Sequence, residues 1–380
     1  MYSIRFHLPI LILTWLVVHS VLLWHYGIRT SLFDARVYVE EAAYLVEHGT
    51  LEDTYRIFYA VPIALLAVFR LLFAENIIPF LLFQCILSGM AAAALYQAAV
   101  NVFDNTRAGF FSAFIFLIWW DNIQWNTTTM TESLFQTFTC FVVYFLTLLK
   151  EGKRNYRMLI LLQVVLILTR PTGIVIVISV LVSLTVDHLS VKRKPVIQTA
   201  LIAGVLLVAG LVAGSLLHWD FTEEYRKGNI ITYADQVEGT SLSYDIMRMD
   251  TSALGPVESS GSPIVNMISF IITNPVYIVK SGVLKIWFLI SATRPYYSTL
   301  HNIYSIGWMT LIYALYFFGW KATTNQSIRL FSLTAIILNC LLVGVSSVDW
   351  DNRFYIPMAP GIILLAGGGA AWIRSFRFNV

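Results

Sequence analysis

Three carboxylates and four cations stand where this chain could do chemistry. Asp34 sits early in SLFDARVYVEEAAYLVEHG, Asp121 follows Trp119 and Trp120, and Glu132 opens an apolar run. A carboxylate can take the proton of an attacking hydroxyl. Arg170 lies in LTRPTG, Arg353 in VDWDNRFYIPMAP, and Lys280 and Lys285 share the apolar stretch Val276–Ala292. A guanidinium matches phosphate oxygens with a planar pair of donors, whereas an ammonium supplies a compact charge. These types suit a carboxylate base and cations that grip an anionic ligand.

Each residue also has a plainer role. Asp34 and Glu132 fall where a helix begins, and a carboxylate there complements the helix dipole. Asp34 therefore either caps its helix or turns into a cavity as a base. Asp121 is either solvated at a membrane rim or part of the site. Arg170 precedes Pro171, which breaks a helix, and has no acid close in sequence. Its partner is an acid of another loop or a lipid phosphate. Arg353 is either a snorkelling residue in an aromatic belt or a second phosphate contact. Glu40, Glu41 and Glu47 read as a solvated helix face.

The elements that must position these residues are membrane helices. Of the 380 residues, 58% are hydrophobic and 12% charged, and mean hydropathy is +0.71. These values exclude an ordinary soluble globule. Short gaps hold Arg107; Lys150, Lys153, Arg154 and Arg157; Lys192, Arg193 and Lys194; and Lys321 and Arg329. Arg5 and the pair Arg374 and Arg377 mark the two ends. Lys and Arg resist translocation, so these belong on the cytoplasmic side. Putting them there takes about ten crossings, expected at Leu8–Tyr26, Ile77–Val100, Ala108–Trp120, Ser133–Leu149, Met158–Thr169, Ile174–Leu189, Val196–Leu217, Ile303–Trp320, Leu330–Val348 and Pro357–Ile373.

Two further apolar stretches, Phe58–Phe73 and Val276–Ala292, are then interfacial or re-entrant helices on the outer face, with their basic residues snorkelling. All of the 22 acids except Asp104, Glu151 and Asp187 fall outside. The expected fold is an all-α polytopic membrane protein. It forms a single domain over 1–380, with a first outer loop at 27–76 and a large one at 220–301. Leu8–Tyr26 reads as a retained signal anchor. Cys85, Cys140 and Cys340 lie inside apolar spans, where a structural disulfide is not expected. The run Gly367–Gly369 reads as close helix packing. No nucleic-acid partner is expected.

The order of these features resembles the GT-C superfamily of membrane glycosyltransferases, which includes protein O-mannosyltransferases and aminoarabinose transferases. The resemblance rests on FDARVY, YAVPIALLAVFRLLF, WWDNIQWNTTTMTES, LTRPTG and NRFYIPMAPGIILLAGG, in that order. It implies a GT-C-like bundle and a sugar carried on a polyprenyl phosphate. It also implies a lipid, glycan or protein acceptor, and reaction at the outer face of a bacterial cytoplasmic membrane. Asp34 matches the early-loop acid that serves as general base, and Asp121 or Glu132 the second-loop acid. Many relatives place two acids nearly adjacent in the first loop, whereas Asp34 is followed by Ala35 and Arg36.

No cofactor is expected. A metal is not demanded, because protein cations can hold the phosphate, though Asp121, Asp349 and Asp351 are the set that could bind magnesium or manganese. The alternatives are a polymerase or ligase of lipid-linked glycans, or a flippase. Against a flippase, no inverted repeat is visible and the spans are nearly free of charge.

Overall fold

In the computed structural model, residues 2–30, 34–149, 153–189, 221–231, 247–256 and 262–376 are described. The expected crossing Val196–Leu217, the basic gap at 192–194 and much of the 220–301 loop lie outside them. The described elements are helices, with isolated β-bridges at Arg29–Thr128 and Asn229–Arg248.

The chain divides into two compact units. The first comprises Met1–Asp187, Leu311–Ala335 and Ile356–Val380. It contains α1 (Tyr2–Tyr26), α2 (Asp34–His48), α3 (Ala60–Phe73), α4 (Ile78–Phe103), α5 (Thr106–Ile118), α6 (Trp120–Ile123), α7 (Glu132–Thr147), α8 (Lys153–Ile167) and α9 (Gly173–Leu189). The second comprises His188–Thr310 and Ile336–Tyr355. It contains α10 (Phe221–Arg226), α11 (Pro263–Thr273) and α12 (Pro275–Ser291). The boundaries fall near the end of α9, within α13 (Thr299–Ala322) and α14 (Gln326–Val345), and after Tyr355, so that α15 (Ala359–Phe376) belongs to the first unit.

By length and composition, Phe6–Tyr26, Thr54–Phe73, Ile78–Phe103, Thr299–Ala322 and Gln326–Val345 are long and apolar enough to cross a membrane. Helices α11 and α12 together form a sixth candidate, bent by 100° at Asn274 as a broken span or a re-entrant loop. Thus Thr54–Phe73, which the basic gaps put on the surface, qualifies as a span by these measures. Three of the expected crossings are shorter apolar helices: Thr106–Ile118, Gly173–Thr185 and Ala359–Ile373.

Close helix packing at the glycines is as expected. A Cβ at Gly367 would lie 2.0 Å from Ser112 Oγ on α5, and one at Gly369 1.9 Å from the Leu315 carbonyl on α13. Only glycine admits such approach, and membrane helices gain dispersion contacts by it. All three cysteines are free.

Candidate functional site

The site is assembled in the first unit from α2, the start of α3, the loop before α7 and the break after α8. Helix α2 runs from Asp34 to His48, and Gly49 ends it at φ +72° with its N–H on the Leu45 carbonyl. This is a left-handed C-cap that glycine takes without strain. The buried stripe of α2 is Ala35, Tyr38, Glu41 and Ala42, at helical spacing. Glu41 is therefore not on a solvated face. Its carboxylate accepts the Glu52 N–H at 2.7 Å and pairs with Arg56 at 3.7 Å. It falls on the stripe that packs α2 to the following turn. Glu40 and Glu47 are exposed as expected, Glu40 pairing with Arg36.

Asp34 is exposed at the first turn of α2. Tyr38, one turn on, is buried and packs its ring 5.2 Å from that of Tyr59. Burial pushes the Tyr38 phenol well above its ordinary range; Tyr59, Asp34 and Glu132 push the same way, and Arg170 opposes them. Asp34 and Arg170 also act on Tyr59. One phenol thus reports three of the expected site residues, drawn from three distant stretches of sequence.

Glu132 and Arg170 form an ion pair, through Arg170 Nη1 and Glu132 Oε1, with both side chains buried. Of the two partners open to Arg170, the structure shows the acid of another loop. Glu132 stands at the N-terminus of α7, where the dipole favours a carboxylate. Arg170 stands in the turn between α8 and α9, beyond which Pro171 cannot continue the helix. The Val61 N–H reaches the Leu168 carbonyl at 3.0 Å, fixing this break against the start of α3. Thr129 Oγ1 donates to the Ala35 carbonyl at 3.1 Å, fixing α2 to the loop before α7.

That loop is not a solvated connector. Residues from Asn122 to Glu132 are buried, and several of their polar groups bond α1, α4 and the chain after α1. Arg29 binds Thr127 Oγ1 through Nε at 3.1 Å and the Gln124 carbonyl through Nη2 at 2.8 Å. Gln84 donates to the Thr128 carbonyl at 2.8 Å. Asn126 Nδ2 lies 3.0 Å from His19 Nε2, and Asn126 Oδ1 accepts from Ser133. His19 Nδ1 is 2.8 Å from the Trp15 carbonyl, which can only accept, so Nδ1 carries the proton and Nε2 accepts from Asn126. Asp121 is half-buried on α6 and is absent from the groups acting on Tyr38.

The remaining sequence candidates belong to the second unit. Lys280 is exposed on α12. Lys285 does not snorkel: it is buried, donates to the Ser346 carbonyl at 2.7 Å and stands 4.2 Å above the Tyr225 ring. The carbonyls at the end of α14 attract a cation more directly than distant headgroups. Arg353 is half-buried in a 3-10 turn, Arg353–Tyr355, its guanidinium 5.3 Å from the Phe354 ring centre. Asp349 pairs with Arg294 at 2.9 Å, both fully buried, and accepts the Phe354 N–H at 3.1 Å. Asp351 accepts from Tyr297 at 3.2 Å. Among the described residues, no group of three or more His, Cys, Asp or Glu side chains is placed to hold a metal ion.

Sequence reasoning missed Arg294, Arg56 and the tyrosines. Arg294 had a signal, since Thr293–Arg294–Pro295 repeats Thr169–Arg170–Pro171.

The family model of dolichyl-phosphate-mannose-protein mannosyltransferases, a family of the GT-C superfamily, matches residues 60–213. The match spans α3 to α9, including Glu132 and Arg170, and it bears out the resemblance read from the motifs. With the apolar helices, it implies an integral membrane glycosyltransferase of the GT-C type. No curated protein matches the chain.

Proposed function

We propose that the chain transfers a sugar from a polyprenyl-phosphate donor to an acceptor hydroxyl at the outer face of the membrane, with Asp34 as general base. The observation that supports this most is the grouping of Asp34, Glu132 and Arg170 about Tyr38, beside the family match. The acceptor oxygen attacks the anomeric carbon, its proton passes to Asp34, and the bond to the phosphate oxygen breaks. A single displacement inverts the anomeric centre. Glu132 is engaged by Arg170, so its part is to hold the guanidinium toward the departing phosphate. Lys285 is committed to a backbone carbonyl. The acceptor hydroxyl belongs to a lipid, a glycan or a protein.

The test incubates the purified chain with a panel of polyprenyl-phosphate sugars and a membrane extract supplying acceptors, and measures released polyprenyl phosphate. Asp34→Asn should lower turnover by about two to four orders of magnitude with thermal unfolding unchanged. Near-normal turnover removes Asp34 from the mechanism. Release from no donor in the panel overturns the reaction itself.

A further inference from the structure

We infer that a groove between α1, α4 and α5 holds one acyl chain of an anionic phospholipid whose phosphate sits at Arg107. The inference is independent of glycosyl transfer, since it rests on a cavity the mechanism does not use. The groove has a volume of about 660 Å³, within the usual range for ligand pockets. Leu8, Leu11 and Ile12 of α1 face Ile86, Met90 and Ala93 of α4 across it. Trp15 closes one end: its Nε1 donates to the Cys85 carbonyl at 2.9 Å, and its ring lies where a Cβ on Gly89 would stand 3.2 Å away. The lining there offers an incoming chain no polar partner, so hydrocarbon fits and a sugar does not.

The other end is polar and basic. His7 Nδ1 lies 3.2 Å from the Tyr96 hydroxyl, and the His7 ring packs 4.9 Å from Phe110. Arg107 is exposed in the first turn of α5 and acts on His7. The positive end of the α5 dipole points the same way. Asn101 bonds Thr147 at 3.0 Å, so the end of α7 reaches this level. Arg154 and Arg157 follow in sequence and are exposed on α8. One acid, Asp104, shares the turn before α5. An apolar slot that ends at a basic rim matches an amphiphile with one chain inside and an anionic head at the surface. The basic gaps put this end on the cytoplasmic side, the leaflet where anionic lipids concentrate.

The full chain is reconstituted in nanodiscs of phosphatidylcholine carrying a small fraction of phosphatidylglycerol with a photoactivatable acyl chain. Crosslinks are mapped by mass spectrometry. The same label on phosphatidylcholine serves as control. Labelling should concentrate on residues 7–15 and 86–97, and the phosphatidylglycerol probe should label more strongly. Ala93→Trp, at an exposed position on the groove wall, should remove that labelling at least about tenfold, and Ile12→Trp on the facing helix should do the same. Arg107→Gln should reduce the preference for phosphatidylglycerol about fivefold, the effect of one basic residue near a membrane surface. Labelling spread evenly over the lipid-facing helices, or equal labelling by both probes, overturns the proposal. So does displacement of the label by polyprenyl phosphate but not by phosphatidylglycerol.

Discussion

The same tripeptide, Thr-Arg-Pro, ends a helical segment in each unit, and the two arginines are treated differently. Arg294 is sealed: its guanidinium is fully buried and donates to the Asp349 carboxylate and carbonyl and to the carbonyls of Phe288 and Thr293, at 2.7–2.9 Å. Arg170 is buried against Glu132, but in company with Asp34, Tyr38 and Tyr59 at the edge of an exposed carboxylate. One local device thus serves two ends. Proline stops the helix, leaving carbonyls without intrahelical donors, and arginine is the side chain with enough donors to satisfy several at once. Saturated by backbone, it pins a fold. Held by a carboxylate beside other titratable groups, it can face a ligand.

The contrast is open to test. Arg294→Met should be the most damaging to the fold, because it leaves Asp349 as a buried uncompensated charge. Loss of one partner of such a pair costs about 3–5 kcal/mol, read as a fall in unfolding temperature or failure to recover monodisperse protein. If Arg294→Met unfolds like the parent, the pinning role is wrong. Arg170→Lys should keep the charge opposite Glu132 and so leave the fold nearly intact, yet lower turnover by about two to three orders of magnitude, as loss of an oriented donor does. Equal effects on stability and turnover would make the two arginines alike after all.

A smaller effect is expected at Ser133→Ala, which leaves Asn126 Oδ1 without its donor in the buried loop, at about 1–3 kcal/mol. The difference should appear in denaturant midpoint, with KM raised more than kcat is lowered if the loop only positions Glu132. The smallest belongs to Glu41→Gln. It keeps an acceptor for the Glu52 N–H and loses only a 3.7 Å ion pair with a part-exposed arginine, so a change of about 1 kcal/mol or less is expected.

Much of this was written in local patterns. The acids at the starts of α2 and α7 and the close packing at Gly367–Gly369 follow from capping and residue size, which are short-range, whereas Glu41 turned out to lie on the buried stripe of α2. The Asp121–Glu132 loop did not follow from such signals, because its character is set by partners far along the chain. Thr127, Thr128 and Asn126 look like solvated loop residues until Arg29, Gln84 and His19 arrive to bond them. Nor could sequence choose between Glu132 and a lipid phosphate as the partner of Arg170. That choice depends on how α7 and the α8–α9 turn meet, which no local signal encodes. Lys285 shows the same limit: its spacing on an amphipathic stretch suits snorkelling, but the end of α14 offers a nearer carbonyl.

The His19–Asn126 bond joins residues 107 positions apart, and the Gln84–Thr128 bond residues 44 apart. During synthesis α1 and α4 therefore leave the ribosome before the loop that satisfies their polar side chains exists. Until then an imidazole and an amide face hydrocarbon or must keep water beside them, at a cost of kilocalories each. The early helices are thus poorly settled lodgers in the bilayer until the Asp121–Glu132 segment emerges and locks them. Chains halted before residue 121 should leave a cysteine at position 19 open to aqueous thiol reagents, and chains extended past α7 should close it.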